Sequence, residues 1–291
     1  MPILRKFTLA DLRAARMDGR KVAMLTCYDY TTARLMQEAG IRALLVGDSA
    51  ANVILGHEST IPITLEFMIT LAAAVRRGAP KALLVADMPF GSYAESTRAG
   101  VKNVIRMVQL SGCDCVKLEV TARHAALIGK LSDAGVAVMA HLGLRPQSVN
   151  LLGGYRTQGR TANEAQELVR TAILLQRAGA AALLLEAVPP QVSQAVVEAT
   201  EIPVIGCGAG PACHGHVVVT HDALGLTPSA PRFVPMLADL ASPVKAAFAD
   251  YLRQVESGQY PAAGHVYEMS EEELEKFSRD RSRVPAVAHR G

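Results

Sequence analysis

Short runs of aliphatic residues alternate with longer stretches of helical character along most of the chain. The short runs are apolar at consecutive positions, which is typical of parallel β-strands that are covered on both faces. They predict eight strands: Val22–Thr26, Ala43–Val46, Ala82–Ala86, Cys115–Leu118, Val136–Ala140, Ala182–Leu185, Pro203–Gly206 and Val217–Thr220.

Helical stretches lie between many of these strands, and most of them are followed by a glycine, the usual helix stop. Eight strands alternating with helices favour an α/β fold of the closed (βα)8 type, the TIM barrel. An open doubly wound sheet is the alternative, but the turn after the first strand, 27–30, is not glycine-rich. The predicted helices are Tyr30–Ala39, Glu95–Leu110, Ala122–Ala134, Thr161–Ala178 and Gln191–Ala199.

The ends of the chain read as extensions of the barrel. Thr8–Arg16 predicts a short helix before the first strand, and Ser242–Ser257 predicts a helix after the last one. From Ser270 the chain becomes charged and then small and polar, which is typical of a mobile tail. We therefore expect one barrel domain over residues 1–265, with an N-terminal helical extension, and a C-terminal tail over 266–291.

Composition and charge narrow the class of protein further. The 291 residues are half apolar and only 4% aromatic, and the net charge of +3 is too small to suggest nucleic-acid binding. No early segment resembles a signal peptide and no apolar run reaches membrane-spanning length, so we expect no membrane association and a cytoplasmic protein. The five cysteines lack CxxC spacing and are expected to be small buried side chains without disulfides.

Polar residues close several of the predicted strands. In a (βα)8 barrel the reactive groups lie at the carboxyl-terminal ends of the strands, so these residues are candidates for a common site. Lys117 and Glu119 lie two positions apart on the fourth strand and therefore on one face. The full set is Asp48 and Ser49 after the second strand, Asp87 after the third, Lys117 and Glu119 on the fourth, His141 after the fifth and Glu186 after the sixth.

The charge in this set predicts a metal site. One carboxylate at a strand end is more often a capping group than a ligand. Four carboxylates and one lysine, each closing an apolar strand, would be very unfavourable if they were buried without a further partner. A hard divalent cation is the simplest partner, and oxygen ligands without a Cys/His cluster favour Mg²⁺ over Zn²⁺.

Nine separated motifs, in a fixed order, resemble the ketopantoate hydroxymethyltransferase family from about Thr8 to Tyr260. Many barrel enzymes share one of these motifs, but the combination is specific. They are "TCYDYTTA" (26–33), "LLVGDS" (44–49), "LGHESTIPIT" (55–64), "ADMPFGSY" (86–93), "VKLE" (116–119), "HLGLRPQSVNLLGGYRTQGR" (141–160), "LLLEAVP" (183–189), "IPVIGCGAG" (202–210) and "HDALGL" (221–226).

The resemblance implies a TIM barrel of the phosphoenolpyruvate/pyruvate type and a large homo-oligomer, with a decamer suggested by the family. It implies transfer of a hydroxymethyl group from 5,10-methylenetetrahydrofolate to 3-methyl-2-oxobutanoate, which gives 2-dehydropantoate for pantothenate biosynthesis. It also implies the residue roles: Asp48, Asp87 and Glu119 as Mg²⁺ ligands; Asp48, Ser49, Asp87 and Lys117 as keto-acid contacts; and Glu186 as the proton acceptor.

This chemistry suits the residue types. Mg²⁺ chelated by the keto acid polarises the carbonyl, so the neighbouring C–H becomes acidic and the resulting enolate attacks the folate methylene. Lys117 is suited to neutralise carboxylate or enolate charge. Glu186 is suited to act as a general base, either on that C–H or on a water in the later step, and the sequence leaves both open.

Two segments depart from the family pattern. Ala50–Asn52 replaces a Leu-Gly-Met-like segment, and His214–His216 replaces an Asp-Gly-Gln segment, while Ala140 stands where glycine is usual. These departures leave open a paralogue with weakened turnover. The related phosphoenolpyruvate/pyruvate barrels leave open a second alternative, a Mg²⁺-dependent C–C lyase acting on small 2-keto or 2-hydroxy acids.

Two further motifs invite other interpretations. Gly206–Gly210 resembles a nucleotide-binding loop, but a glycine-rich turn after a barrel strand also allows close backbone approach to a ligand or a neighbouring loop. His214, His216 and His221 resemble a zinc site, but we favour loop and strand-end histidines without a metal.

Overall fold

The computed structural model describes residues 5–281, and its eight parallel strands form a closed barrel in sequence order, with β8 pairing back to β1. The predicted (βα)8 fold is confirmed. The strands are β1 Val22–Thr26, β2 Ala43–Val46, β3 Leu83–Asp87, β4 Cys115–Glu119, β5 Val138–Gly143, β6 Ala182–Glu186, β7 Val204–Cys207 and β8 Gly215–Val218.

The eighth strand begins two residues earlier than predicted, at Gly215 instead of Val217. Gly215 pairs with both Val22 and Ile205, and a Cβ at this position would lie 2.4 Å from the Val22 carbonyl oxygen. The close approach of the neighbouring strand thus selects a glycine, which an apolar pattern does not show. Thr220, predicted as the strand's last residue, instead begins a short helix, and its hydroxyl donates to the Thr26 carbonyl at 2.6 Å.

Helices alternate with the strands along most of the chain. The predicted helices are present, with ends that differ by a few residues. The longer ones are α1 Leu9–Met17, α2 Tyr30–Glu38, α4 Leu65–Gly78, α5 Thr97–Ser111, α6 Ala125–Asp133, α8 Ala162–Arg177, α9 Pro190–Ala199 and α11 Ala241–Glu256; the short ones are α3 Ala50–Val53, α7 Val149–Leu152 and α10 Thr220–Ala223.

Helix α4 has no counterpart among the predicted helices, although its start carries a clear signal. The Thr64 hydroxyl accepts a hydrogen bond from the Phe67 backbone N–H, which is the usual N-cap arrangement. Its buried face also has helical spacing, with Leu65, Met68 and Ala72 against the barrel core. Helix α4 covers β2 and β3, the strands that lead into the first half of the candidate site.

Alternate residues of each strand belong to two separate apolar clusters. The outer cluster joins one set of strand residues to the helices, and Leu84 and Ala86 of β3 belong to it. The inner cluster fills the barrel interior, and Leu83 and Val85 of the same strand belong to it. This alternation means that Asp87, two residues after Val85, faces the barrel interior.

Helix α1 belongs to the inner cluster and lies by the amino-terminal ends of the strands. Leu12 and Ala15 are fully buried in that cluster, and the Phe7 backbone N–H donates to the carbonyl of Lys81, just before β3. Thr8 caps the helix through a reciprocal capping box with Asp11. The predicted N-terminal extension is therefore part of the barrel core.

Glycines in the 206–210 turn allow close approach to neighbouring segments of protein. A Cβ at Gly208 would lie 2.5 Å from the Phe233 ring, and one at Gly210 would lie 2.8 Å from Pro190. Two of the histidines that resembled a zinc site make contacts within the protein. His214 Nδ1 accepts a hydrogen bond from the Val204 N–H at 3.0 Å, and the His221 ring packs on Tyr28.

The described residues divide into two compact units, 5–238 and 239–281. The second unit contains α11, a 3-10 turn at Ala263–His265 and α12 Glu271–Arg281, with the Tyr260 ring packed against Tyr251 and His265. Helix α12 lies inside the segment predicted as a tail, so this part of the segment is helical. The predicted division at residue 265, and the mobility of the tail, stay predictions. In the range 5–281, no helix combines the length and apolar character needed to cross a membrane.

Candidate active site

Inward-facing positions near the carboxyl-terminal ends of consecutive strands bring most of the predicted site residues together. They continue the alternation that places apolar residues below them in the barrel interior. Because the strands are parallel, their carboxyl-terminal ends lie at the same end of the barrel. The residues at these positions are Asp87 of β3, Lys117 and Glu119 of β4, His141 of β5, Glu186 of β6 and Cys207 of β7.

Asp48 and Ser49 enter the site from the turn after β2. The Asp48 backbone N–H donates to Oδ2 of Asp87 at 3.0 Å, which joins the ends of β2 and β3. The Ser49 hydroxyl lies 2.8 Å from the Tyr28 hydroxyl, so it is held from the end of β1. Asp48 is buried, and Ser49 is half-buried beside it.

Lys117 is the cation at the centre of the site. Its Nζ lies 2.9 Å from Oδ1 of Asp87 and 3.4 Å from Nδ1 of His141, and its side chain is only 6% exposed. Burial alone would lower the pKa of Lys117, but the charges of Asp87, Asp48 and Glu119 outweigh it and raise the pKa. Lys117 therefore carries a full positive charge in the barrel interior.

The buried carboxylates exceed the positive charge available to them. Burial raises the pKa of Asp87 to about 7, against the opposing effect of Lys117, and Asp48 raises it further. Burial and the charge of Asp48 raise the pKa of Glu119 to about 9. One ammonium thus does not compensate three buried carboxylates, and a further cation would stabilise their ionised forms.

His141 links the lysine to Glu186. Its Nε2 lies 3.3 Å from Oε2 of Glu186, without the geometry of a hydrogen bond, and its Nδ1 faces Lys117. Burial and the charge of Lys117 lower the pKa of His141 well below its usual value, so the imidazole is neutral and the pair is not an ion pair. The strand-end pattern predicts His141 just after the fifth strand, without a role. In the structure the strand continues past it to Gly143.

Glu186 is the most accessible of the charged groups in the cluster. Its side chain is 18% exposed, whereas those of Asp87, Glu119 and His141 are 2%, 3% and 1% exposed. Burial raises the pKa of Glu186 to about 7, and Lys117 opposes the increase. A carboxylate with a pKa near 7 is suited to take up and release a proton at neutral pH.

Close backbone packing and a strained residue fix the position of Glu186. Ala187 has a φ of 47°, the left-handed region, which costs about 1–3 kcal/mol for a residue other than glycine. Its N–H donates to the Cys207 carbonyl at 2.9 Å. On the other side, Gly143 has a φ of 90°, and a Cβ there would lie 2.3 Å from the Glu186 carbonyl oxygen.

Two residues outside the predicted site set also contact residues of the cluster. Gln147 lies in a 3-10 turn, Pro146–Ser148, after β5, and its side-chain N–H donates to Oδ2 of Asp48 at 2.8 Å. The Tyr93 hydroxyl donates to the Glu119 carbonyl oxygen at 3.0 Å. Both residues lie inside quoted motifs, but they come from loops, so the strand-end pattern does not find them.

The donor set fits a magnesium ion by its chemistry. Asp48, Asp87 and Glu119 offer oxygen ligands, the ligands that Mg²⁺ prefers, and the only cation beside Oδ1 of Asp87 among the described residues is the Lys117 ammonium at 2.9 Å. As the side chains stand, no group of three or more His, Cys, Asp or Glu residues among the described ones is arranged to hold a metal ion. The charge balance, and not a preformed ligand geometry, is therefore what favours a cation.

The five cysteines are free, and four of them are buried. The exception is Cys207, which pairs in register with Glu186 and is partly buried in the inner cluster. Burial and the charge of Glu186 raise the pKa of Cys207 well above its usual value. It therefore lines the site as a neutral thiol.

Solved structures with a similar fold define the class of barrel. Phosphonopyruvate hydrolase, in a structure with oxalate and Mg²⁺, aligns with a TM-score of 0.60 at 16% identity, over 95% of this chain and 98% of its own. A 2,3-dimethylmalate lyase of the PEP mutase/isocitrate lyase superfamily aligns with a TM-score of 0.57 at 17% identity, over 94% and 96%. At this identity the likeness shows the fold alone, a closed (βα)8 barrel.

Sequence relatives define the family more closely. The model of the ketopantoate hydroxymethyltransferase family matches residues 6–263. The 3-methyl-2-oxobutanoate hydroxymethyltransferase of Hyperthermus butylicus is 44% identical over 94% of this chain and 95% of its own length. That of Heliobacterium modesticaldum is 42% identical over 92% and 98%. The chain belongs to the ketopantoate hydroxymethyltransferase family, and it is a hydroxymethyltransferase enzyme.

Proposed function

We propose that this enzyme transfers a hydroxymethyl group from 5,10-methylenetetrahydrofolate to 3-methyl-2-oxobutanoate and forms 2-dehydropantoate, a step of pantothenate biosynthesis. The relatives are named for this keto acid. The observation that carries the proposal is the buried cluster of Asp48, Asp87, Glu119 and Lys117 at the carboxyl-terminal end of the barrel. Such a cluster suits a small, anionic, metal-chelating substrate.

Magnesium is part of the proposal, with Asp48, Asp87 and Glu119 as the residues that would hold it. When bound, Mg²⁺ would polarise the carbonyl of the keto acid and so make the neighbouring C–H more acidic. Support comes from the excess of buried negative charge over the single ammonium of Lys117. A structural neighbour that was solved with Mg²⁺ is consistent with this fold accommodating such an ion.

Lys117 and Ser49 are proposed contacts of the keto acid, together with Asp48 and Asp87. Lys117 retains its proton, so it offers a positive charge to a substrate carboxylate or to negative charge that develops on the keto oxygen. Ser49 lies beside the carboxylates and retains a hydroxyl that is shared only with Tyr28.

Glu186 is the proposed general base. It is the most exposed carboxylate of the cluster, and its raised pKa places it near the operating pH of a cytoplasmic enzyme. The proton it takes up comes either from the substrate C–H or from the water that completes hydroxymethyl release. His141 contacts Glu186 as a neutral group, so it leaves the basicity of the carboxylate intact.

The cytoplasmic location and a homo-oligomer of the decameric size suggested by the family are also part of the proposal. Both rest on membership of the family. Small molecules, a keto acid and a folate, are the proposed partners.

A product assay with omissions tests the reaction. The enzyme is incubated with 3-methyl-2-oxobutanoate, 5,10-methylenetetrahydrofolate and Mg²⁺, each omitted in turn, and 2-dehydropantoate is measured. We expect product only in the complete mixture. Cleavage of 2-keto or 2-hydroxy acids without folate would favour the C–C lyase. Turnover no better than that of Glu186→Gln would favour the weakened paralogue.

Variants of the proposed ligands test the metal. Asp48→Ala and Glu119→Ala should abolish Mg²⁺-dependent activity, because each removes one of the oxygen ligands. Circular dichroism should show that both barrels stay folded. Wild-type turnover by either variant in metal-free buffer with chelator would contradict the proposed site.

A further inference from the structure

Gln147 connects two of the proposed magnesium ligands, and this inference therefore rests on the proposed function. Its side-chain amide donates to Oδ2 of Asp48 at 2.8 Å and to the Met88 carbonyl at 3.0 Å. Its backbone N–H donates to both carboxylate oxygens of Glu119, at 3.0 and 3.3 Å. One residue of the β5 loop thus contacts carboxylates that come from β2 and β4.

The orientation of the Gln147 amide is fixed by its partners. The Met88 carbonyl and the Asp48 carboxylate are acceptors, so the amide nitrogen must face them and both of its N–H groups are used. The amide oxygen then points to the Tyr93 hydroxyl at 3.1 Å. Gln147 is only 7% exposed, so water does not compete strongly for these bonds.

A neutral donor is the kind of group that leaves the carboxylates available to a cation. A carboxylate oxygen has two lone-pair sites, and one amide N–H occupies one of them. An arginine or lysine at this position would neutralise the negative charge that attracts the metal. Gln147 instead restricts the rotation of the Asp48 carboxylate and keeps its charge.

We propose that Gln147 is a positioning residue that restricts the carboxylates of Asp48 and Glu119, so that a smaller rearrangement brings them onto the divalent cation. Its side chain acts on Asp48, and its backbone N–H acts on Glu119. Tyr93 supports it through the amide oxygen.

Metal affinity of the full-length protein tests the proposal without any substrate. The dissociation constant for Mn²⁺, as a spectroscopic substitute for Mg²⁺, is measured by electron paramagnetic resonance for wild type and for Gln147→Met. Methionine is similar in length and volume but has no donor, whereas the backbone N–H to Glu119 remains. We expect affinity to fall by about 10–100-fold, the range seen when groups that orient metal ligands are removed.

A matched control comes from the same segment of the chain. Gln158 is half-buried in the loop after β5, and its side-chain amide donates only to the nearby Arg156 carbonyl, at 2.9 Å. Gln158→Met is therefore the same chemical change without a contact to the carboxylates, and its Mn²⁺ affinity should equal that of wild type.

A second variant keeps the test decisive if Gln147→Met fails to fold. Tyr93→Phe retains the buried ring and removes only the hydroxyl that contacts the Gln147 amide oxygen and the Glu119 carbonyl. We expect a smaller loss of Mn²⁺ affinity, about two- to tenfold, which corresponds to the free energy that one hydrogen bond usually contributes. Raised Mg²⁺ should restore the turnover of both variants, which damage unrelated to the metal would not allow.

The possible outcomes separate the two proposals. If wild type binds Mn²⁺ and folded Gln147→Met and Tyr93→Phe bind it within twofold of wild type, the role of Gln147 is wrong and the magnesium site stands. If wild type binds no Mn²⁺ but forms product, the magnesium site is wrong and the role of Gln147 is wrong with it.

Discussion

The two ends of the barrel interior are built by the same strands but have opposite chemistry. At the amino-terminal end, inward residues such as Leu83 and Met139 form an apolar cluster with α1. At the carboxyl-terminal end, the inward residues of those strands include Asp87 and His141. We call these two regions the floor and the rim of the barrel.

The difference shows what each end contributes. Floor residues are buried and apolar, so their removal from water stabilises the fold. Several rim residues are ionisable and almost as buried, and the one ammonium of Lys117 does not compensate the carboxylates around it. The rim is therefore unfavourable for stability by itself, and burial at this end is explained by ligand binding and chemistry.

Glu186→Gln should produce the largest effect at the rim. The amide cannot accept the proton, so kcat should fall by about 10²–10⁴-fold, the usual contribution of a general base. The melting temperature should stay the same or rise, because a buried ionisable group has been removed. Steady-state kinetics and calorimetry on the same sample check both parts. A variant with kcat within threefold of wild type would remove Glu186 from the chemistry.

Leu83→Ala should produce the opposite result at the floor. Leu83 is fully buried in the inner cluster, and its truncation leaves a cavity that costs about 2–5 kcal/mol of unfolding free energy. The folded fraction should retain near-normal kcat, because no rim residue has changed. Chemical denaturation and kinetics below the unfolding transition give the two numbers. A large loss of kcat without a loss of stability would contradict the division into floor and rim.

Gly143→Ala should lower both kcat and the free energy of unfolding, because this glycine lies where β5 and β6 meet at the rim. The new Cβ would lie 2.3 Å from the Glu186 carbonyl oxygen, so the Glu186 backbone must shift. A displacement of about 1 Å can cost about a hundredfold in rate.

Gly135→Ala is the matched control for Gly143→Ala. The φ of Gly135, 80°, is similar to that of Gly143, but a new Cβ at Gly135 would have no atom within 4 Å. The two variants therefore share the backbone strain but not the contact with Glu186. We expect a loss of about 1 kcal/mol of stability and unchanged kcat for Gly135→Ala. Equal kcat in the two variants would show that the packing of Gly143 on Glu186 is unimportant.

The pH dependence of turnover is the smallest expected effect. Because burial raises the pKa of Glu186 to about 7, the ionised base is lost as the pH falls below that value. The rate should fall about tenfold per pH unit on the acid side of 7 and level off above it. The residual rate of Glu186→Gln should not show this decrease below pH 7. An unchanged decrease in that variant would mean that another group is responsible for it.

The rim could be predicted from the sequence because its residues extend regular strands. Lys117 and Glu119 share a face by the alternation of the strand, and Asp87 and Glu186 close apolar runs. Their convergence then follows from the parallel barrel. The roles of these residues came from the family resemblance and not from spacing.

Loop residues that contact the site, and the exact ends of some strands, could not be predicted from the sequence. Gln147 bonds to the Glu119 carboxylate from 28 positions away, and Tyr93 bonds to the Glu119 backbone carbonyl from 26 positions away. No local pattern encodes such contacts. The start of β8 at Gly215 depends on the close approach of Val22, again a tertiary contact.

Hydrogen exchange at the substrate gives the most direct test of the central claim, that the rim makes the C–H beside the keto group acidic. Proton NMR follows exchange of that hydrogen of 3-methyl-2-oxobutanoate in D₂O, with enzyme and Mg²⁺ but without folate. We predict enzyme-dependent exchange that is lost on removal of Mg²⁺ and in Asp48→Ala. Exchange at the uncatalysed rate, from enzyme that forms product in the complete mixture, would contradict the account.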